Sequence, residues 1–217
     1  MMIVMEEKYF IVSLEKNPLI TMRVMPGHFT NSIAHVTHYL DLSMMKSNAM
    51  VARDVARELA IPYFSSTMVD TIVCMERTDV IGAYLAEELV QDGALAINSG
   101  GEIYVVTPIS NNLGNLSFQS SMIEHIMNRN ILLLTTSISS GRTLDSALDC
   151  ISYYGGNIVG ISVLFMVEDS DTDHKVHALF TSGDVPNYSS YSTRECDLCK
   201  SGQRLDALIS SEGYTRI

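Results

Sequence analysis

The clearest hydrophobic pattern in the chain runs from residue 131 to residue 151. Ile131 to Leu134 are four consecutive apolar residues, the length and character of a buried strand. Small polar residues and one glycine follow. Leu144, Ala147, Leu148 and Ile151 then recur at i, i+3, i+4 and i+7, the apolar stripe of a helix, which Gly155-Gly156 ends. The same alternation appears upstream. Thr71 to Glu76 reads as a buried strand and Val80 to Val90 as the next helix, with Asp79 at its cap and Gly93 at its end. Ala94 to Asn98 and Glu102 to Val106 read as short strands, and Asn157 to Val167 as the next parallel strand. His174 and His177 flank an edge strand running to Phe180. Strands alternating with helices predict an α/β fold, a parallel central sheet flanked by helices on both faces.

The N-terminal third is less regular. Met1 to Leu14 fits a helix or a strand, and Asn17-Pro18 and Pro26-Gly27 are turn signals. His28 to Leu42 reads as an edge strand with partly exposed histidines. Ser47 is the expected N-cap of a helix that buries Val51, Val55 and Leu59, turns Arg53, Asp54, Arg57 and Glu58 to solvent, and stops at Pro62. The expected division is an N-terminal hood over residues 1–62, an α/β core over 63–180 and a C-terminal extension over 181–217.

A buried strand, a small-residue loop and a helix together aim backbone N–H groups and a helix N-terminus at one point, which suits an anion. Here Ser137, Ser139, Ser140 and Thr143 add hydroxyl donors, and Gly141 lets the backbone come close to a bound group. Lys and the glycine spacing of a Walker P-loop are missing. The stretch ILLLTTSISSGRT resembles the phosphoribosyl pyrophosphate motif of type I phosphoribosyltransferases: four apolar residues, two acidic residues, and a loop of small and hydroxyl residues closing in Gly-x-Thr. The resemblance implies that Ser137, Ser139, Ser140, Gly141, Arg142 and Thr143 cradle a 5′-phosphate. Thr135 and Thr136 stand where the family has the acidic pair that holds the ribose hydroxyls and supports the metal-bound substrate.

The resemblance extends, more loosely, to orotate phosphoribosyltransferases. It implies that Tyr39 and Asp41 belong to a hood over the base, and that Met75, Glu76, Arg77 and Thr78 occupy the place of the pyrophosphate-binding loop. By their charges alone, Glu76 would repel a pyrophosphate and Arg77 attract it; a surface role for the Glu76–Arg77 pair is the reading we carry forward. Thr107 to Ser117 stands for the family's catalytic lid but contains no Lys, Arg or His, a poor lid for a multiply charged pyrophosphate. Glu76 and Asp145 are the acidic candidates to stand in for the missing pair, although Asp145 in the first turn of a helix also serves the helix dipole. The C-terminal stretch from Val185 to Gly213 is similar to an extension found in some bacterial relatives.

Composition narrows the partners. The 217 residues are 47% hydrophobic, enough for a sizeable core, and the formal net charge is −11. That balance disfavours nucleic acid and anionic membrane surfaces, which need a basic footprint. No run of 18 apolar residues occurs, and Glu6 and Glu7 spoil a signal peptide, so a cytoplasmic protein is expected. The four cysteines are too unevenly spaced for a disulfide scaffold. Cys74 and Cys150 fall in a strand and a helix and read as buried apolar residues. Cys196 and Cys199 form a Cys-x-x-Cys that supplies two of the four ligands of a structural zinc site, with no second pair in the sequence; packing, a Zn site shared across a dimer and a redox pair all stay open.

Three functions follow. One is a nucleotide-metabolism protein of the phosphoribosyltransferase kind that binds a phosphorylated small-molecule ligand, a 5′-phosphorylated ribose, with impaired catalysis. The second is an active glycosyltransferase using phosphoribosyl pyrophosphate and Mg²⁺. The third is a structural or redox module acting through Cys196 and Cys199. A homodimer is expected in the first two.

Overall fold

The computed structural model describes residues 9–31, 34–91, 96–111, 115–139, 142–168, 174–210 and 213–217. In chain order the strands and helices are β1 (Phe10–Ser13), β2 (Thr21–Thr30), β3 (Ala34–Asp41), α1 (Ser43–Ser47), α2 (Ala49–Ala60), β4 (Thr71–Cys74), α3 (Asp79–Val90), β5 (Tyr104–Val106), β6 (Ile109–Ser110), β7 (Leu116–Ser117), β8 (Asn130–Ile138), α4 (Arg142–Tyr153), β9 (Asn157–Met166), β10 (Val176–Thr181), β11 (Ser190–Ser192), α5 (Asp197–Lys200), β12 (Ala207–Ser210) and β13 (Gly213–Arg216).

The apolar run at 131–134 is the middle strand of a five-stranded parallel sheet, in the order β10-β9-β8-β4-β5. Its side chains alternate between two cores, as strand geometry demands. Leu132 and Leu134 join Ile72 and Cys74 beneath α2 and α3, packing with Val55, Leu59, Ile81 and Leu85. Ile131 and Leu133 join Val73, Ile161 and Val163 beneath the α4 stripe of Leu144, Ala147, Leu148 and Ile151. A sheet covered on both faces explains why the strand reads as an unbroken apolar run. Gly155, at φ +77°, takes the left-handed turn that ends α4. β10 lies at the sheet edge, and Cys74 and Cys150 are buried among apolar neighbours.

Several local expectations are revised. Asn48, not Ser47, caps α2: its side chain accepts from the N–H groups of Met50 and Val51 at 3.0 and 3.3 Å, while Ser47 closes α1. The described part of 94–98 is a turn rather than a strand, and Asn98 ties it to the sheet by accepting from the Val69 N–H at 2.9 Å. Asp79 opens α3 within the first turn and accepts a hydrogen bond from the Thr107 hydroxyl instead of capping the helix. The polar stretch 107–117 includes a two-stranded ribbon, β6 with β7.

The hood is a second sheet, β11-β3-β2-β12-β13, with β1 paired to the first half of β2. N-terminal and C-terminal segments therefore build it together: β12 runs parallel to the end of β2 at Phe29 and Thr30, and β11 pairs antiparallel with β3. β3 is consequently an interior strand. His28, His35 and His38 are buried, at 0%, 8% and 7% exposure, not partly exposed as on an edge. The hood's own core is small, with Phe29, Val36 and Ala207 at its centre among the described residues.

α3 packs on β4 through Gly82, where an added Cβ would overlap Cys74 Sγ and press on Val105 at 3.3 Å. Burial, reinforced by Asp79, pushes the Cys74 thiol up to about 12, so it is an inert wall. Gly82→Ala gains up to about 1 kcal/mol of helix propensity, but overpacking a tight site costs about 1–3 kcal/mol. The expected net outcome in urea unfolding is a loss of roughly 1 kcal/mol; a neutral or stabilised variant would contradict this packing.

Candidate functional site

The order of the parallel sheet places a crossover between β4 and β8. The chain winds outward from β4 to β5 on one side, and from β8 through β9 to β10 on the other. Open α/β sheets bind ligands at such a switch point, beyond the carboxyl ends of the strands. Two segments emerge there, the 75–78 loop after β4 and the end of β8 at Ser137 to Ser139. Both flank a cleft of about 690 Å³ whose far wall is the hood.

The β8 rim brings Thr136, Ser137, Ile138 and Ser139 to the cleft, and Thr143 and Leu144 bring the first turn of α4 to it. Ser137 is exposed and Ser139 half-buried. Ser140 and Gly141 lie outside the described residues, as does the side chain of Arg142, whose backbone opens α4. A helix of 12 residues whose first turn faces the cleft offers unpaired backbone N–H groups and the positive end of its dipole there.

The β4 loop supplies what the sequence could not assign. Glu76 is half-buried and reaches over the two threonines of β8. Its Oε2 accepts from the Thr135 hydroxyl and the Thr136 N–H, both at 3.2 Å, and its carbonyl accepts from the Thr136 hydroxyl at 3.2 Å. Lys46 Nζ, from the end of α1, donates to the same carbonyl at 3.3 Å. The surface role read from the sequence is therefore corrected: Glu76 is a wall of the cleft, and its carboxylate sits on the two residues that replace the acidic pair. Asp145 is exposed on α4 and does not line the cleft. Thr135 itself is buried beneath Glu76, and Thr78 is buried with its hydroxyl donating to the Met75 and Leu134 carbonyls at 2.8 and 3.2 Å, so it braces the loop.

This geometry requires unusual backbone. Glu76 and Arg77 have φ of +53° and +65°, the left-handed region that non-glycine residues avoid at a cost of about 1–2 kcal/mol each. The strained pair puts the Glu76 carboxylate over β8 and brings Arg77 to the cleft wall. Arg77 and Lys46 are the cations lining the cleft among the described residues; none comes from 107–117.

The hood side carries Tyr39 and Asp41, as the sequence expects, with Tyr188, Ile209, Ser210 and Gly213 from the C-terminal segment. Tyr39 packs edge-on to Tyr214 at 4.9 Å between ring centroids. Asp41 accepts from the N–H and hydroxyl of Ser43, at 3.0 and 2.5 Å. Burial pushes the Tyr188 phenol up to about 12 and lowers His38 from its ordinary value; the two rings stack at 6.1 Å, and His38 Nδ1 lies 2.8 Å from the Thr37 hydroxyl. Neutral aromatic groups against polar rims suit a planar, polar heterocycle.

Cys196 and Cys199 do not reach the cleft. Their sulfurs meet His28 and His35 on the hood, and the four donor atoms lie within 4.8 Å of one another. The missing second pair of ligands is thus a pair of histidines distant in sequence. Three histidines within His28 to His38, together with the Cys-x-x-Cys, were the available signal.

No protein-family model and no curated protein matches the sequence. Solved structures do match the fold. Orotate phosphoribosyltransferase of Mycobacterium tuberculosis superposes with a TM-score of 0.52 at 12% identity, over 74% of this chain and 90% of that one. UMP synthase of Leishmania donovani superposes with a TM-score of 0.55 at 17% identity, over 74% of this chain and 34% of that one. The chain therefore has the fold of type I phosphoribosyltransferases. Among the described residues no helix is long and apolar enough to cross a membrane.

The left-handed strain at Arg77 yields a direct expectation. Arg77→Gly removes a cost of about 1–2 kcal/mol against a glycine entropy penalty of roughly 0.5–1 kcal/mol, so the variant is expected to be as stable as the parent or more so. Arg77→Ala keeps the strain and gains nothing. Urea midpoints in the order Gly above Ala support the strained loop; the reverse order contradicts it.

Proposed function

We propose that the cleft binds a ligand carrying a 5′-phosphorylated ribose, a nucleotide or a phosphoribosyl compound, and that transfer chemistry in this chain is impaired. The observation that carries the reading is the convergence of three features on one cavity at the sheet switch point: the hydroxyl-bearing 136–139 rim, the first turn of α4, and the Glu76 carboxylate. The phosphate belongs at the α4 end with Ser137, Ser139, Ser140, Gly141, Arg142 and Thr143. The ribose hydroxyls belong beside Thr136 and Glu76, which together offer donors and an acceptor. The base belongs under Tyr39 and Tyr188.

Phosphoribosyl transfer from the pyrophosphate compound develops positive charge on the ribose and negative charge on the leaving pyrophosphate. The first needs a carboxylate nearby, and the second needs cations. The cleft has one carboxylate where the family motif has two, and only Lys46 and Arg77 as cations among its described lining residues. Removing one preorganised electrostatic group commonly costs about 100-fold or more in rate, which favours binding over turnover. Glu76 gives the active reading its support, because it returns one negative charge to the ribose end. Glu76 and Asp41 are the carboxylates that line the cleft among the described residues, and they would be its ligands for Mg²⁺, which proteins hold through one or two carboxylates together with substrate phosphates. Bound there, Mg²⁺ would supply charge neutralisation to a pyrophosphate. In either reading Glu76 accepts from the ribose and Arg77 faces the phosphates.

Calorimetric titration tests this with phosphoribosyl pyrophosphate, with and without Mg²⁺, ribose 5-phosphate, nucleoside monophosphates and inorganic phosphate. Binding of the monophosphates, indifferent to Mg²⁺, is the expected result. Glu76→Gln should weaken ribose-bearing ligands by roughly 10-fold or more, the size of a charge-assisted hydrogen bond, and leave inorganic phosphate unchanged. Gly141→Val should abolish both, because a branched side chain blocks the approach to the backbone. Mg²⁺-dependent binding of the pyrophosphate compound with turnover of a base would establish the active enzyme instead. No binding by any of them would overturn the site.

A further inference from the structure

We propose that His28, His35, Cys196 and Cys199 form a structural Zn²⁺ site that fastens the C-terminal segment to the N-terminal hairpin of the hood. The site is separate from the phosphoribosyl cleft, since none of the four residues lines it.

Four of the six donor separations already lie close to the edges of a zinc tetrahedron. With Zn–N near 2.0–2.1 Å and Zn–S near 2.3 Å, the edges of the tetrahedron are about 3.3 Å between nitrogens, about 3.5 Å between nitrogen and sulfur and about 3.8 Å between sulfurs. His28 Nε2 lies 3.0 Å from His35 Nδ1, 3.4 Å from Cys196 Sγ and 3.7 Å from Cys199 Sγ, and His35 Nδ1 lies 3.3 Å from Cys199 Sγ. The remaining edges fall within 4.8 Å.

Protons alone satisfy this cluster poorly. His28 Nδ1 lies 3.0 Å from the Gln203 carbonyl oxygen, which can only accept, so that nitrogen carries the ring proton. His28 Nε2 is then a bare lone pair at the centre of a site where His28 and Cys196 are 0% and 1% exposed. Three groups converge on that one lone pair, and one proton can serve only one of them. A cation serves all four donors at once. The bond from His28 Nδ1–H to a backbone carbonyl is also the outer-shell contact that orients metal-bound imidazoles. Two imidazoles and two thiolates select zinc among common divalent ions, and four protein ligands leave no open position for chemistry, so the role is structural.

The topology supplies the reason. His28 and His35 come from β2 and β3, and the cysteines lie more than 160 positions away, Cys196 just before α5 and Cys199 within it. A cross-link between such distant segments removes much chain entropy from the unfolded state. The far end of the hood needs it, because the apolar core around Phe29, Val36 and Ala207 is small. β12 and β13, which follow α5, carry Ile209, Ser210 and Gly213 to the cleft, so the metal would also hold that wall in place.

The test is metal analysis of the full chain, purified without an affinity tag that binds metals, followed by exchange to Co²⁺. One zinc per chain is expected, and the Co²⁺ form should show the intense visible bands of tetrahedral cobalt with a thiolate-to-cobalt charge-transfer band. Cys199→Ser should lose the metal and lower the melting temperature. His35→Cys keeps four ligands, so it should still bind Co²⁺ with a stronger charge-transfer band, which identifies the ligand even where Cys199→Ser fails to fold. A metal-free protein whose Co²⁺ titration gives only weak octahedral bands would overturn the proposal, as would a mass two hydrogens low that marks a Cys196–Cys199 disulfide.

Discussion

The contact on which the cleft depends is the Glu76 carboxylate laid across Thr135 and Thr136. It joins the ends of β4 and β8, the two strands between which the sheet changes direction, and it converts a neutral pair of threonines into a site with one negative charge. The arrangement exists only because Glu76 and Arg77 hold left-handed backbone that neither residue favours. Buried neighbours hold the loop in that state: the Met75 N–H donates to the Leu134 carbonyl at 2.8 Å, and the Thr78 hydroxyl donates to two carbonyls beneath. Strain is thus concentrated at one rim and balanced by a well-packed sheet.

The hood makes the opposite trade. Ile20, just before β2, and Met22 and Val24 in its first half anchor it to the main core, but its far end has little apolar core and is assembled from both ends of the chain, so the geometry there rests on strand pairing, on the Asp206 carboxylate that accepts from the His28 N–H at 2.7 Å, and on the histidine–cysteine cluster. Its contribution to the cleft is aromatic and polar, with Tyr39 and Tyr188 facing the rim that carries the hydroxyls. Parallel sheet and hood thus make different walls of the cleft: hydroxyl groups and the first turn of α4 on one side, aromatic and polar side chains on the other.

What the sequence made legible follows from period and local chemistry. The apolar run at Ile131–Leu134, the α4 stripe and the strand at Thr71 announce a buried parallel sheet, because both faces of each strand are covered. The start of α4 was readable from its stripe and from the hydroxyl residues before it, which favour a helix N-terminus, while Ser140 and Gly141 of that loop lie outside the described residues. The place of Glu76 was not legible. It depends on two consecutive non-glycine residues with positive φ, which no propensity anticipates, and only that turn moves the carboxylate from the surface onto β8. The histidines were misjudged as partly exposed because β11 and β12 cover β2 and β3 from the distant C-terminus, and short strands paired across most of the chain leave no periodic trace. Asn48 displaced Ser47 as a cap by a single residue, within the usual uncertainty of helix ends.

The central claim is that the two rims act on one ligand, phosphate at α4 and ribose at Glu76. A crystal structure with ribose 5-phosphate tests it most directly. The account expects the phosphate against the N-terminal turn of α4 and the 137–143 loop, with a ribose hydroxyl donating to the Glu76 carboxylate. A phosphate bound elsewhere, or a ribose that leaves Glu76 untouched while the phosphate occupies the loop, would contradict it.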